Sequence, residues 1–183
     1  MANQPIKVLL SGSFSTGKTT TLTLLRDELK RQQVRVAVTI DPARHCPLPL
    51  DLRQGAHTAR WLLGDLVRQE SELVAQAGSE VVLCDGGPPD IVAHTPGHPD
   101  HDAAMLGIAR SWQPTYDLVF WARPDAGRPI ADDELRVLDE DYRRRIDSAL
   151  PTAFDLLGVA VHELPHHGPD RVDLMLRKLS GRP

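Results

Sequence analysis

Eight residues near the N-terminus constrain this chain more than any others. Gly12-Ser13-Phe14-Ser15-Thr16-Gly17-Lys18-Thr19 fits the spacing G-x-x-x-x-G-K-[ST] without a gap. A composition like this one produces such a match by accident in roughly one chain in several hundred. The context is also the one the pattern demands. The apolar run IKVLLS (6–11) reads as a buried strand, and Leu22, Leu25 and Leu29 then repeat at helical spacing. A glycine-rich turn between strand and helix lets successive N–H groups point inward at phosphate oxygens, and the helix N-terminus adds partial positive charge. The expected nucleotide-binding set is Gly12, Ser13, Phe14, Ser15, Thr16, Gly17, Lys18, Thr19 and Thr20. Lys18 is expected on the β- and γ-phosphates and the Thr19 hydroxyl on a magnesium ion. Only four of the 21 basic residues are lysines, so a lysine at this position stands out.

The rest of the chain alternates. Strands are predicted at 34–40, 80–85, 116–122 and 159–164, and helices at 18–33, 56–77, 102–111, from about 132, and at 169–179. The helix from about 132 is expected to kink or restart near Pro151, and 41–55, with three prolines, reads as loop. Alternating strands and helices with short connections imply parallel crossovers and a sheet covered on both faces. A length of 183 residues suits one domain of this α/β class.

Composition excludes some roles. A net charge of −4 and a pI near 6.0 argue against nucleic acid as the main partner. Cys46 and Cys84 are too few for a disulfide framework. No basic start leads into a long apolar stretch and no run reaches membrane-spanning length, so a soluble cytoplasmic protein is expected.

Phosphoryl transfer needs an orienting carboxylate beside the acceptor, a second one for magnesium, and cations over the moving group. In an α/β sheet these belong at the carboxyl ends of strands. Asp41 follows the second predicted strand, Asp85 ends the third, and Asp90 follows five residues later. Asp41 could instead be a turn former and Asp90 a helix N-cap. Arg123, Arg128 and Arg136 fall in or beside the loop after the fourth strand, a lid-like segment at about 123–136, although a solvated surface suits them equally. His94, His98 and His101 lie close together, but without helical pairing they suit a substrate-side loop better than a metal site. A switch GTPase is disfavoured, because CDGGPPD lacks the glycine of D-x-x-G and no N-K-x-D occurs.

Taken in order, Gly12–Thr19, DPARHCPLP, VVLCDGGPPDIVAH and WARPDAGRPIADDELR resemble the AAA-type P-loop ATPase and kinase domains. These include the ribosylnicotinamide-kinase domain of bifunctional NAD-biosynthesis proteins. GVAVHELPHHGPDRVDLMLRKL is similar to the closing strand and helix of that family, so the resemblance spans nearly the whole chain. It implies a three-layer P-loop NTPase fold with a five-stranded parallel sheet in the order 2-3-1-4-5, as in nucleoside kinases. It also implies Asp41 as catalytic base, Arg44 on substrate or phosphate, Asp85 as the third-strand acid and Arg136 as a lid arginine. Gly86 stands where the family commonly has arginine, and Glu134 where its lid motif has glycine. The resulting expectation is an ATP- and Mg²⁺-dependent phosphotransferase. Its catalytic residues are Lys18, Asp41, Asp85, Arg128 and Arg136; Asp41, Arg44 and Asp90 meet a small hydroxylated acceptor; Thr19 and Asp85 hold the metal. A regulatory or partner-recruiting ATPase is the alternative, and Gly86 favours it slightly.

Overall fold

Val8, Leu9 and Leu10 are all completely buried, which places β1 (Ile6–Ser11) in the middle of a sheet with both faces covered. The computed structural model describes residues 4–76, 78–95, 102–125, 130, 138–166 and 168–181. The remaining strands are β2 (Val36–Val38), β3 (Val81–Asp85), β4 (Leu118–Trp121) and β5 (His162–Glu163). They lie parallel in the order β2-β3-β1-β4-β5. The expected five-stranded parallel sheet is thus observed in its expected order.

Successive side chains on a strand point to opposite faces. Val8 and Leu10 therefore join Leu83 and Phe120 beneath α1 (Lys18–Arg31) and α6 (Gly168–Ser180), packing on Leu22, Leu25, Val172 and Met175. Leu9, Val82, Cys84 and Val119 face the other way. On that side α2 (Ala56–Ala75), α3 (Pro88–His94), α4 (Ala103–Trp112) and α5 (Glu140–Leu157) share a second apolar cluster built on Leu62, Leu63, Leu66, Met105 and Leu106. Each such side chain contributes roughly 1.5–3 kcal/mol through burial.

Three local expectations change. The Gly-Gly-Pro-Pro-Asp cluster, where the sequence pattern predicts no helix, opens α3, because both prolines occupy the first helical positions, where a missing N–H is harmless. The helix around Pro151 is continuous. Proline removes one backbone bond there, but buried Leu150, Ala153 and Phe154 hold both halves against the body of the protein. The segment 41–55 contains two short 3₁₀ turns, Pro42–His45 and Asp51–Arg53.

At the amino ends of the strands, Lys7 and Glu70 form a buried ion pair at 2.6 Å. Lys7 also donates to Thr115, while Trp112 Nε1 and Tyr116 OH donate to the two Glu70 oxygens. Every charge in this network has partners, which is what makes burial tolerable. It ties α2 to β1 and α4 at the opposite end of the sheet from the glycine-rich loop. No helix among the described residues is long and apolar enough to cross a membrane.

Candidate active site

The register of the sheet assembles the site. Leu10 of β1 pairs with Asp85 of β3, so the strand carrying the acid ends beside the start of the glycine-rich loop. Gly17 caps α1 in a left-handed conformation, with φ +83°. Thr16 Oγ1 donates to the Ser13 carbonyl at 3.0 Å, and Lys18 Nζ donates to the carbonyls of Gly12 and Ser13 at 2.7 and 2.9 Å. The lysine thus lies across the mouth of its own loop. Phe14 is buried and stacks on Tyr142 of α5, with ring centroids 5.8 Å apart. This docks the loop on a helix well outside the motif.

Asp85 is buried, and its Oδ2 accepts a 2.6 Å hydrogen bond from Thr19 Oγ1. Burial pushes its carboxyl above the usual range. Lys18 and the Thr19 hydroxyl oppose that shift, Asp41 adds to it, and Arg44 opposes it. These groups feel one another because three strand ends converge on one point. The buried Asp85 carboxylate and the exposed Thr19 hydroxyl form an all-oxygen donor set in which a cation would relieve the carboxylate. That chemistry fits magnesium, which binds through one or two protein oxygens plus phosphate oxygens.

Asp90 sits in the first turn of α3. Its Oδ1 accepts from Ser11 Oγ at 3.1 Å and from Gly12 N–H at 2.7 Å, while Oδ2 accepts from Gly87 N–H at 2.7 Å. Burial raises its pKa, against the Lys18 charge and these three donors. Both oxygens are thereby engaged in holding the glycine-rich loop to the β3–α3 turn. Asp41 caps the turn Pro42–His45, its Oδ1 accepting from Ala43 N–H at 3.0 Å. The turn-forming role and a place beside the site therefore coexist in one side chain.

A cleft runs from Gly12 and Lys18 past Asp41, Asp85 and Asp90. Its far wall is apolar, built from Leu50, Leu62, Leu66 and Ile91, with Phe14 and His94 at its sides. Sequence reading places the acids here but misses this wall, because its residues come from α2, from α3 and from a loop with no periodicity. It also misses Gln54, which lines the cleft and is only 4% exposed. The Nε2 of Gln54 has no hydrogen-bond partner among the described residues.

His94 bonds the Asp90 carbonyl through Nδ1 at 2.9 Å and packs edge-on against Tyr142. Among the described residues no cluster of three metal-ligating side chains occurs. Arg123 lies over the Trp121 ring at 4.8 Å and pairs with Asp147 and Glu163 at 3.4 and 3.7 Å. Arg44 is exposed at the rim, and Thr20 is exposed on the first turn of α1. Arg128, Arg136, Glu134, His98 and His101 lie outside the described residues.

A family model described as AAA domain matches residues 7–171. The chain belongs to the AAA domain family. Its fold is similar to that of deoxyadenosine kinase from M. mycoides in two solved structures. The structure with the products dCMP and a flexible dCDP bound superposes with a TM-score of 0.65 at 13% identity, covering 97% of this chain and 100% of that one. The structure with bound dATP gives 0.59 at 14%, covering 96% and 100%. No curated protein matches the sequence. At these identities the solved structures establish the P-loop fold and its strand order, and the chemistry is argued from this chain's own residues.

Proposed function

We propose that this protein transfers the γ-phosphoryl group of ATP to a hydroxyl of a small, nucleoside-like acceptor. The observation that carries the reading is the cleft: it joins Lys18 to Asp41 and Asp85 and ends in an apolar wall. An ATPase acting on water alone needs no apolar compartment beside its phosphate loop, whereas a kinase needs one to orient the acceptor and exclude water. The deoxyadenosine kinase structures on the same fold, with nucleotides bound, support the same class of substrate.

In this reading the backbone from Ser13 to Thr19 and Lys18 hold the β- and γ-phosphates. Thr19 and Asp85 would hold magnesium, which would neutralise charge on the phosphate oxygens. Asp41 accepts the proton of the acceptor hydroxyl as its oxygen bonds to the γ-phosphorus. The bond from that phosphorus to the β–γ bridging oxygen breaks, and ADP leaves with the electron pair. Arg44, Arg128 and Arg136 are assigned to the charge that builds on the phosphoryl group. Asp90 is assigned to holding the loop through the three hydrogen bonds its oxygens accept, and, because it also lines the cleft, to the substrate contact its sequence position suggests.

The test is a panel of ribo- and deoxyribonucleosides incubated with ATP and magnesium, with phosphorylated products read by mass spectrometry. Asp41→Asn is expected to lower transfer by roughly 10²- to 10⁴-fold with ATP affinity nearly unchanged, and Lys18→Ala to lose both. ATP consumption without a phosphorylated product, unaffected by Asp41→Asn, would select the regulatory ATPase instead.

A further inference from the structure

Arg171 stands on α6, 155 positions from the residue of the glycine-rich loop that it touches. It is only 2% exposed. Its Nη1 donates to the Thr16 carbonyl at 2.6 Å, its Nε to the Pro165 carbonyl at 2.7 Å, and its Nη2 to the Arg123 carbonyl at 3.4 Å. One planar fork thus joins the phosphate loop, the segment after β5 and the segment after β4. Of these three carbonyls, the one in the loop matters most for binding.

In a trans peptide the carbonyl and the following N–H point in opposite directions. Holding the Thr16 oxygen against Arg171 therefore turns the Gly17 N–H to the opposite side of that peptide plane, away from α6. Gly17 has a φ of +83°, a region that glycine enters and leaves with little penalty. Left alone, the 16–17 peptide has the freedom to rotate and withdraw its amide. Donors fixed in place before an anion arrives bind it better than donors that must reorganise. Arginine suits this task better than lysine, because its rigid fork reaches several acceptors at once.

We infer that Arg171 is a positioning residue for triphosphate binding: it fixes the 16–17 peptide so that the Gly17 amide is presented to the phosphates. The inference rests on the phosphate-loop part of the proposed function and not on the identity of any acceptor.

The experiment uses inorganic tripolyphosphate, which carries neither base nor acceptor, titrated calorimetrically into the full chain and its Arg171→Lys and Arg171→Met variants. Melting temperatures are measured in parallel. Both variants are expected to lose roughly 10- to 100-fold in affinity, the range for one hydrogen bond to a charged group. Lysine should retain more than methionine at an assay temperature well below either melting point. In the unaltered chain, ¹⁵N-labelled Arg171 Nε–H and Gly17 N–H signals should both shift on saturation. Folded variants that bind within twofold of the unaltered chain overturn the inference. Should neither variant fold, unmoved Arg171 and Gly17 signals in the saturated chain overturn it instead. An unaltered chain that binds no tripolyphosphate removes the phosphate-loop reading and this inference together, whereas a chain that binds it but phosphorylates no nucleoside leaves the inference standing.

Discussion

Adding one methyl group at Gly12 tests the geometry most directly. A Cβ there would lie 2.3 Å from the Ala122 carbonyl oxygen and 3.2 Å from Thr16 Oγ1, on a backbone with φ +152° that L side chains rarely adopt. The carbonyl belongs to the backbone just beyond β4, where Ala122 N–H already bonds the Ser11 oxygen at 2.9 Å. The loop itself must therefore move, by about 1 Å, to restore an ordinary contact. Gly12 also donates to Asp90 and accepts from Lys18, so the shift passes to both. A misplacement of about 1 Å is enough to lower a transfer rate about 100-fold, and overpacking of this kind destabilises by about 1–3 kcal/mol. Gly12→Ala should therefore reduce phosphoryl transfer about 100-fold, weaken ATP binding about tenfold or more, and lower the melting temperature. Gly64→Ala is the matched control. It lies in α2, its Cβ would meet nothing within 4 Å, and helix propensity alone should raise stability by about 1 kcal/mol. A Gly12→Ala protein that binds ATP within twofold of the unaltered chain, beside a well-behaved Gly64→Ala, would refute the claim that this contact sets the loop.

Three further outcomes follow from the same structure. Asp85 has a folded-state pKa raised chiefly by burial. The folded chain therefore holds that proton more tightly than the unfolded chain, whose Asp titrates near 3.9. The stability so gained is present below the unfolded value and lost as pH rises through the folded one. Without nucleotide, Asp85→Asn should thus melt higher than the unaltered chain at pH 7 and no higher near pH 3; an equal offset at both pH values contradicts the assignment. Gln54→Leu removes a buried donor without a partner among the described residues. It should raise the melting temperature by roughly 2–6 °C and weaken acceptor binding, and a clear fall in melting temperature would show that the amide supports the fold. Glu70→Gln strands the buried Lys7 charge and should cost about 3 kcal/mol, seen as a Tm about 6–12 °C lower. The Lys7→Met/Glu70→Leu double change should cost less than the single one, and a larger loss in the double would contradict the desolvation argument.

The glycine-rich loop, the alternating elements and the acids at the strand ends were legible in the sequence because each is a local pattern. Spacing sets which backbone amides can converge, apolar runs mark buried strands, and a residue that ends a parallel strand lands on the ligand-binding edge wherever the strand sits. Strand 159–164 shortened to His162–Glu163, and strand 34–40 to Val36–Val38; both lie at the edges of the sheet, where a ladder forms on one side only. Proline chemistry misled the reading at Pro88–Pro89, where position within the helix outweighed the residue's general reputation as a breaker; at Pro151 the helix continues without the restart that was one of the two alternatives.

The sequence by itself thus determined the class of fold and the glycine-rich loop with its lysine, both of which are written in contiguous residues. Only the tertiary structure decided what surrounds them: the apolar wall from α2, α3 and the Leu50 segment, the two engaged oxygens of Asp90, the buried side chain of Gln54, and Arg171 behind the loop. Those facts depend on which distant segments meet, and the meeting is set by sheet order and by two apolar clusters packing on opposite faces. No local pattern encodes a contact spanning 155 positions; it exists because packing α6 on the sheet beside α1 carries its buried arginine to the Thr16 carbonyl.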